Sequence, residues 1–147
     1  MNPRHLLFCL CCLLPSGAAI ASTPADRISV AYPPLVKEHT LASMRLHLEG
    51  LGKIQDELAR QNFTAAAAKA RYFLGMNSPL NAPNMRDEVQ FMPPEMKRLG
   101  AQMHHAAERF AEAADNADVT DDMPTVLQSL GQLTQTCVAC HAAYRLR

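Results

Sequence analysis

Apolar residues recur along this chain at steps of three and four, in four separate stretches. Between Leu35 and Arg60 the positions are Leu41, Met44, Leu48, Leu51, Ile54 and Leu58, which form one stripe along an amphipathic helix. His47 falls on the same face, between Met44 and Leu51. Gly50 and Gly52 lower the intrinsic helix preference there and leave room for a neighbour to come close. A short Ala-rich second helix is predicted from Asn62 to Leu74, with Phe63, Ala67, Ala70 and Leu74 as its stripe and Gly75 as its C′ terminator.

The connection from Met76 to Pro93 contains Pro79 and Pro83, and its length marks it for a functional role or a short extra turn. Pro93-Pro94 opens the third helix, where Met96, Leu99, Gly100, Met103, Ala107, Phe110 and Ala114 make the cleanest stripe. His104 sits at the edge of that stripe and His105 points away from it, so neither is expected to be a ligand. Asp115 to Thr120 reads as the next turn. Asp121 or Asp122 caps a fourth helix with Pro124 in its first turn. There Leu127, Leu130, Thr134, Cys137, His141 and Tyr144 share one face. Ser22 to Pro34 reads as polar and extended, and no alternating strand pattern is visible. Short links between helices one and two, and between three and four, make antiparallel neighbours. The expected architecture is all-α, an antiparallel four-helix bundle over residues 35–147.

The first residues have a different character. Arg4 and His5 precede an apolar run from Leu6 to Leu14, Pro15-Ser16-Gly17 breaks it, and Ala19-Ile20-Ala21 offers a cleavage site. Residues 1–21 are therefore expected to be a secretory signal peptide, too short to span a membrane as a helix. Residues 22–34 then form an extended N-terminal segment. Phe8 before Cys9 argues against a lipid anchor. No second long apolar run exists, so no membrane span is expected in the mature chain. With 14 basic and 14 acidic residues the formal net charge is zero, which argues against a nucleic-acid partner.

Three of the five cysteines leave with the leader, so Cys137 and Cys140 remain. They stand in Cys137-Val138-Ala139-Cys140-His141, and C-x-x-C-H is the attachment pattern of c-type haem. Two thiols form thioethers to the vinyl groups on one porphyrin edge, and the next residue brings an imidazole to the iron. A thioredoxin-like pair should adjoin a βαβ pattern, which is missing. A zinc site needs about four ligands, and no second Cys pair survives in the mature chain. A structural disulfide is the remaining alternative in an exported protein. One covalent haem c, with Cys137 and Cys140 as thioether anchors and His141 as proximal iron ligand, is the expected cofactor. Its attachment on the far side of a bacterial inner membrane fits a periplasmic protein.

A four-helix bundle ending in one such motif resembles the class II cytochromes c, the group of cytochrome c prime. The closing segment, with Tyr144 three positions and Arg145 four positions after His141, is similar to that family's. The resemblance implies that Tyr144 and Arg145 belong to the proximal haem environment. It also implies a distal position on the first helix, where Met44 stands. Family members with a coordinating Met are six-coordinate and suit electron transfer; those with an open site bind small gases such as NO or CO. Met44, its rival His47 one turn on, and an open sixth position are the three alternatives. Thr40 occupies the place where the family often carries an Arg close to a propionate, and His39 and Arg45 are the nearby substitutes.

Two functions follow. One is a diffusible periplasmic electron carrier that docks transiently on redox partners; the other is a haem protein that binds or scavenges a small gas. A minor alternative, copper handling, rests on Met85, Met92, Met96, Met103 and Met123 with His104 and His105, since thioether and imidazole suit soft copper. No Ser/His/Asp order, HExxH, phosphate loop or EF-hand pattern is present, so no enzyme is expected. The family resemblance also implies a homodimer built on the first two helices.

Overall fold

The computed structural model describes residues 27–81 and 88–147. The expected leader, residues 1–21, lies outside the described residues, as do Pro83 and Met85. Among the described residues the fold is made by four helices, α1 (Pro34–Ala59), α2 (Phe63–Leu74), α3 (Pro94–Thr120) and α4 (Met123–Ala143). Pro residues sit in the first turns of α1, α3 and α4, where the absent N–H would have no helical partner. The Asn62 side chain caps α2 by accepting from the Ala65 N–H at 3.2 Å. Asp122 does the same for α4, accepting from the Thr125 N–H at 3.1 Å.

α1 packs on α2, α2 on α3 and α3 on α4. α1 and α4 make no comparably close backbone contact. The main core lies between α2 and α3, where Ala66, Ala67 and Ala70 meet Ala106, Ala107, Ala111 and Ala114 around the fully buried Phe110. Small side chains let these two backbones approach closely. α4 adds Val126, Leu130 and Leu133 to the same core. A second cluster forms at the end where the chain termini meet, from Val30, Tyr32, Met96, Leu99 and Tyr144.

Several expectations are corrected. The stripe of α1 is buried only toward its C-terminal end, at Ile54 and Leu58, while Leu41 is exposed and Leu48 is 70% exposed. Length explains this. At about 1.5 Å rise per residue, the 12 residues of α2 cannot cover the 26 of α1. α2 runs back along α1 as far as Gly50, which Phe73 covers, and then ends. The segment Asp115–Thr120 continues α3 instead of turning. Ala117 is buried, the Arg71 guanidinium holds the Asp115 carboxylate at 2.7 Å, and Asp121 ends the helix at φ 58°. Gly75 does follow α2, but with φ −68° and ψ 163°, so no left-handed turn is involved. Its value is space: a Cβ there would lie 2.7 Å from both the Arg71 carbonyl and a Glu108 carboxylate oxygen. That same oxygen accepts the Met76 N–H at 2.9 Å. On α4, Val126 rather than Leu127 is buried, and Leu127 is 52% exposed.

Two short strands were also not expected. β1 (Ile28–Val30) and β2 (Tyr144–Leu146) pair in parallel, in the register Ile28 to Tyr144, Ser29 to Arg145 and Val30 to Leu146. The Arg147 N–H donates to the Val30 carbonyl at 3.0 Å and extends the ladder. The start of the described chain is thereby fixed to the residues that leave α4.

Candidate functional site

The last turns of α4 carry the Cys-x-x-Cys-His sequence. Cys137 and His141 are four apart, so they project from one helical face. Both thiols are half-buried, and each belongs to a different apolar cluster. Cys137 packs on the main core and Cys140 on the second cluster. Burial pushes both thiols above their ordinary range, and at Cys140 the neighbouring Cys137 adds to the rise. A thioredoxin-type nucleophile needs the opposite shift. Among the described residues, no three His, Cys, Asp or Glu side chains gather in a way that could hold a metal ion.

His141 is exposed, and its carbonyl, freed by the end of the helix, accepts a hydrogen bond from Arg27 Nη1 at 3.3 Å. Tyr144 is buried beside Tyr32 and Met96, in the cluster that takes Cys140. Arg145 is exposed and pairs with Ser29 in the ladder.

A cavity of about 480 Å³ opens between the N-terminal half of α1 and that of α3, where α2 is too short to reach. Met44 and His47 line it from α1, Met103 and His104 from α3, and Met76, Leu80 and Met92 from the connection. Its walls touch both thiol-bearing clusters. Met103 and Leu80 belong to the cluster holding Cys137, and Met92 to the one holding Cys140. The surface is mainly apolar, with His39, Glu88 and Lys97 also on it. The apolar walls suit a porphyrin face and the polar groups suit its carboxylates, while Cys137, Cys140 and His141 are not themselves among the lining residues. The Tyr32 hydroxyl, buried in the Cys140 cluster, has no hydrogen-bond partner among the described residues. Its pKa is pushed up to about 12, first by burial and then by the charges of Glu88 and Cys140.

Both distal alternatives therefore lie in the cavity wall, each half-buried. The His47 ring stands perpendicular to that of His104 with centroids 6.2 Å apart. Its pKa falls to about 4, chiefly through burial and secondarily through His104, so the imidazole is neutral at physiological pH. Thr40 is buried, and its hydroxyl donates to the Val36 carbonyl at 2.9 Å within its own helix. Of the two proposed substitutes for the family Arg, His39 lines the cavity and Arg45 does not. Lys97 also lines it, a cation that the sequence reading passed over.

The Met and His residues considered for copper divide among separate places. Met92, Met103 and His104 line the cavity, Met96 lies in the second cluster, Met123 opens α4, and His105 is exposed. Met76 and His104 were missed as cavity residues. Met76 carried a weak signal, since it directly follows the helix-ending Gly75.

A helical bundle with Cys-x-x-Cys-His in its last helix is the pattern of a c-type cytochrome. The profile of the family described as Cytochrome C' matches residues 37–145, and the chain belongs to that family, whose cofactor is covalently attached haem c. No curated protein and no solved structure matches it. β1 and Tyr32 precede the matched span. Among the described residues, no helix is long and apolar enough to cross a membrane.

Proposed function

We propose that this chain is an exported monohaem cytochrome that carries electrons in the periplasm and is not an enzyme. Cys137 and Cys140 form the thioethers, His141 is the proximal ligand, and Tyr144 and Arg145 shape the proximal side. Residues 1–21 direct export. The observation that carries the reading is that two side chains able to ligate iron, Met44 first and His47 as its rival, line the cavity from α1. A filled sixth position keeps the iron low-spin in both oxidation states and so keeps the reorganisation on electron transfer small. The family's homodimer is part of the proposal, supported by the uncovered Leu41 and Leu48 on α1.

A second reading, binding of NO or CO at an open iron, is favoured by the apolar character of the same cavity. The absorption spectrum of the holoprotein, ferric and ferrous, with and without CO, separates the two. Electron transfer predicts a low-spin ferric spectrum and no prompt change with CO. A high-spin spectrum that shifts at once with CO would replace the carrier reading with the gas-binding one.

A further inference from the structure

We propose that the hydroxyl of Tyr32, which precedes the span matched to the family, donates a hydrogen bond to a haem propionate. The proposal rests on the haem reading above and adds a cofactor contact from a residue that the family profile does not include.

The argument begins with an orphaned donor. Tyr32 is 7% exposed, and its hydroxyl oxygen is buried with no hydrogen-bond partner among the described residues. A buried phenol normally finds an acceptor, because an unpaired one bears its full desolvation cost. Two candidate acceptors are near but do not serve. The charges of Glu88 and Cys140 both reach the phenol, yet neither side chain bonds to it. Burial first, and these charges after it, push its pKa up to about 12, so the hydroxyl keeps its proton and remains a donor.

The position of the ring is set by the two ends of the described chain. β1 pairs with β2 directly after α4, and the Arg147 N–H continues this ladder onto the Val30 carbonyl. Arg27 Nη1 reaches the His141 carbonyl at 3.3 Å. Two residues beyond Val30, Tyr32 packs in the cluster that takes Cys140, with the Phe91 ring 5.8 Å away between centroids. The orphaned hydroxyl therefore lies beside one of the two thioether anchors. This placement comes from Cys140 itself and not from the cavity between α1 and α3.

The chemistry selects the acceptor. A haem attached at Cys140 carries two carboxylates, the strong hydrogen-bond acceptors of its periphery, whereas the Cys140 sulfur is a weak one. A phenol–carboxylate bond is charge-assisted, and it satisfies a group that the polypeptide leaves unpaired. It also draws negative charge away from the carboxylate, which favours ferrous iron and raises the reduction potential.

The test uses the holoprotein, with covalent haem verified by the pyridine haemochrome of the denatured chain. Tyr32→Phe removes the hydroxyl and keeps the ring on Phe91, so folding is not at stake. Tyr72→Phe, at an exposed tyrosine of α2, is the control. In Tyr32→Phe the propionate bending band of the resonance Raman spectrum should shift, and both the reduction potential and the urea midpoint should fall. Tyr72→Phe should leave the band and the potential where they are. The proposal is overturned if Tyr32→Phe leaves both unchanged, even with stability lost, because the ring then only packs. A raised urea midpoint overturns it too, since the hydroxyl would be unpaired in the holoprotein as well. A changed potential with an unmoved propionate band would put the acceptor at the thioether sulfur and equally overturn it. Absence of covalent haem in the wild type would sink the cytochrome reading itself, and this proposal with it.

Discussion

Gly50 lies directly beneath Phe73, where a Cβ would come within 2.7 Å of the ring's Cγ. Phe73 is buried and sits one residue from the end of α2, so its stem cannot move without shifting that helix. Gly50→Ala would normally gain up to about 1 kcal/mol of helix propensity. Here the overlap dominates, and the expected result is a net loss of about 1–3 kcal/mol, measured by urea unfolding. An unchanged or higher midpoint would mean that α1 and α2 are farther apart than described.

Gly52, two residues on, provides the contrast. A Cβ there meets nothing within 4 Å, and the residue is exposed inside a helix. Gly52→Ala is expected to stabilise by about 0.5–1 kcal/mol, with a higher Tm and an unaltered haem spectrum. A loss of stability in the isolated protein would show that the space above Gly52 is needed.

The two glycines look alike in sequence, and they illustrate what was legible there. The four helices were visible because an apolar stripe is a local pattern, and the Asp122 cap, one of two candidates with Asp121, is equally local. What covers each stripe is not local. The exposed Leu48 follows from the shortness of α2, a comparison of two elements. Three-residue strands carry no alternation to read, and Ile28 finds Tyr144 only after the bundle has formed. The Cys137, Cys140 and His141 pattern was legible because C-x-x-C-H is a spacing contained within about one helical turn. The anchoring of His104 was not, because it depends on the Leu74 carbonyl, contributed by another helix.

Glu88 should make stability depend on pH. Burial pushes its carboxyl above the ordinary value of 4.5, outweighing the opposite influence of the nearby Thr40 and of the His39 charge. The folded state therefore holds this proton more tightly than the unfolded chain does. Its contribution is fully present below the unfolded pKa and is lost as pH rises through the folded one. Glu88→Gln cannot ionise, so its Tm should gain on the wild type as pH is raised from about 4 to about 7. A constant difference between the two proteins across that range would show that Glu88 is as well solvated folded as unfolded.

Each thiol of the pair has its own neighbourhood, and haem attachment should reflect that. Cys137 is seated against the main core and Cys140 against the smaller cluster that includes β1 and β2 residues. Forming a thioether adds the thiol across a vinyl group, so each cysteine removes one vinyl from conjugation with the porphyrin. One such bond is enough to hold the cofactor covalently. Cys137→Ala and Cys140→Ala should each retain haem through acid–acetone extraction, and the ferrous pyridine haemochrome should move to longer wavelength as one vinyl is restored. The double variant should release all its haem into the solvent, with the spectrum of a porphyrin bearing both vinyls. Haem that stayed with the double variant would have to be attached elsewhere, and the assignment of this pair as the anchor would fall.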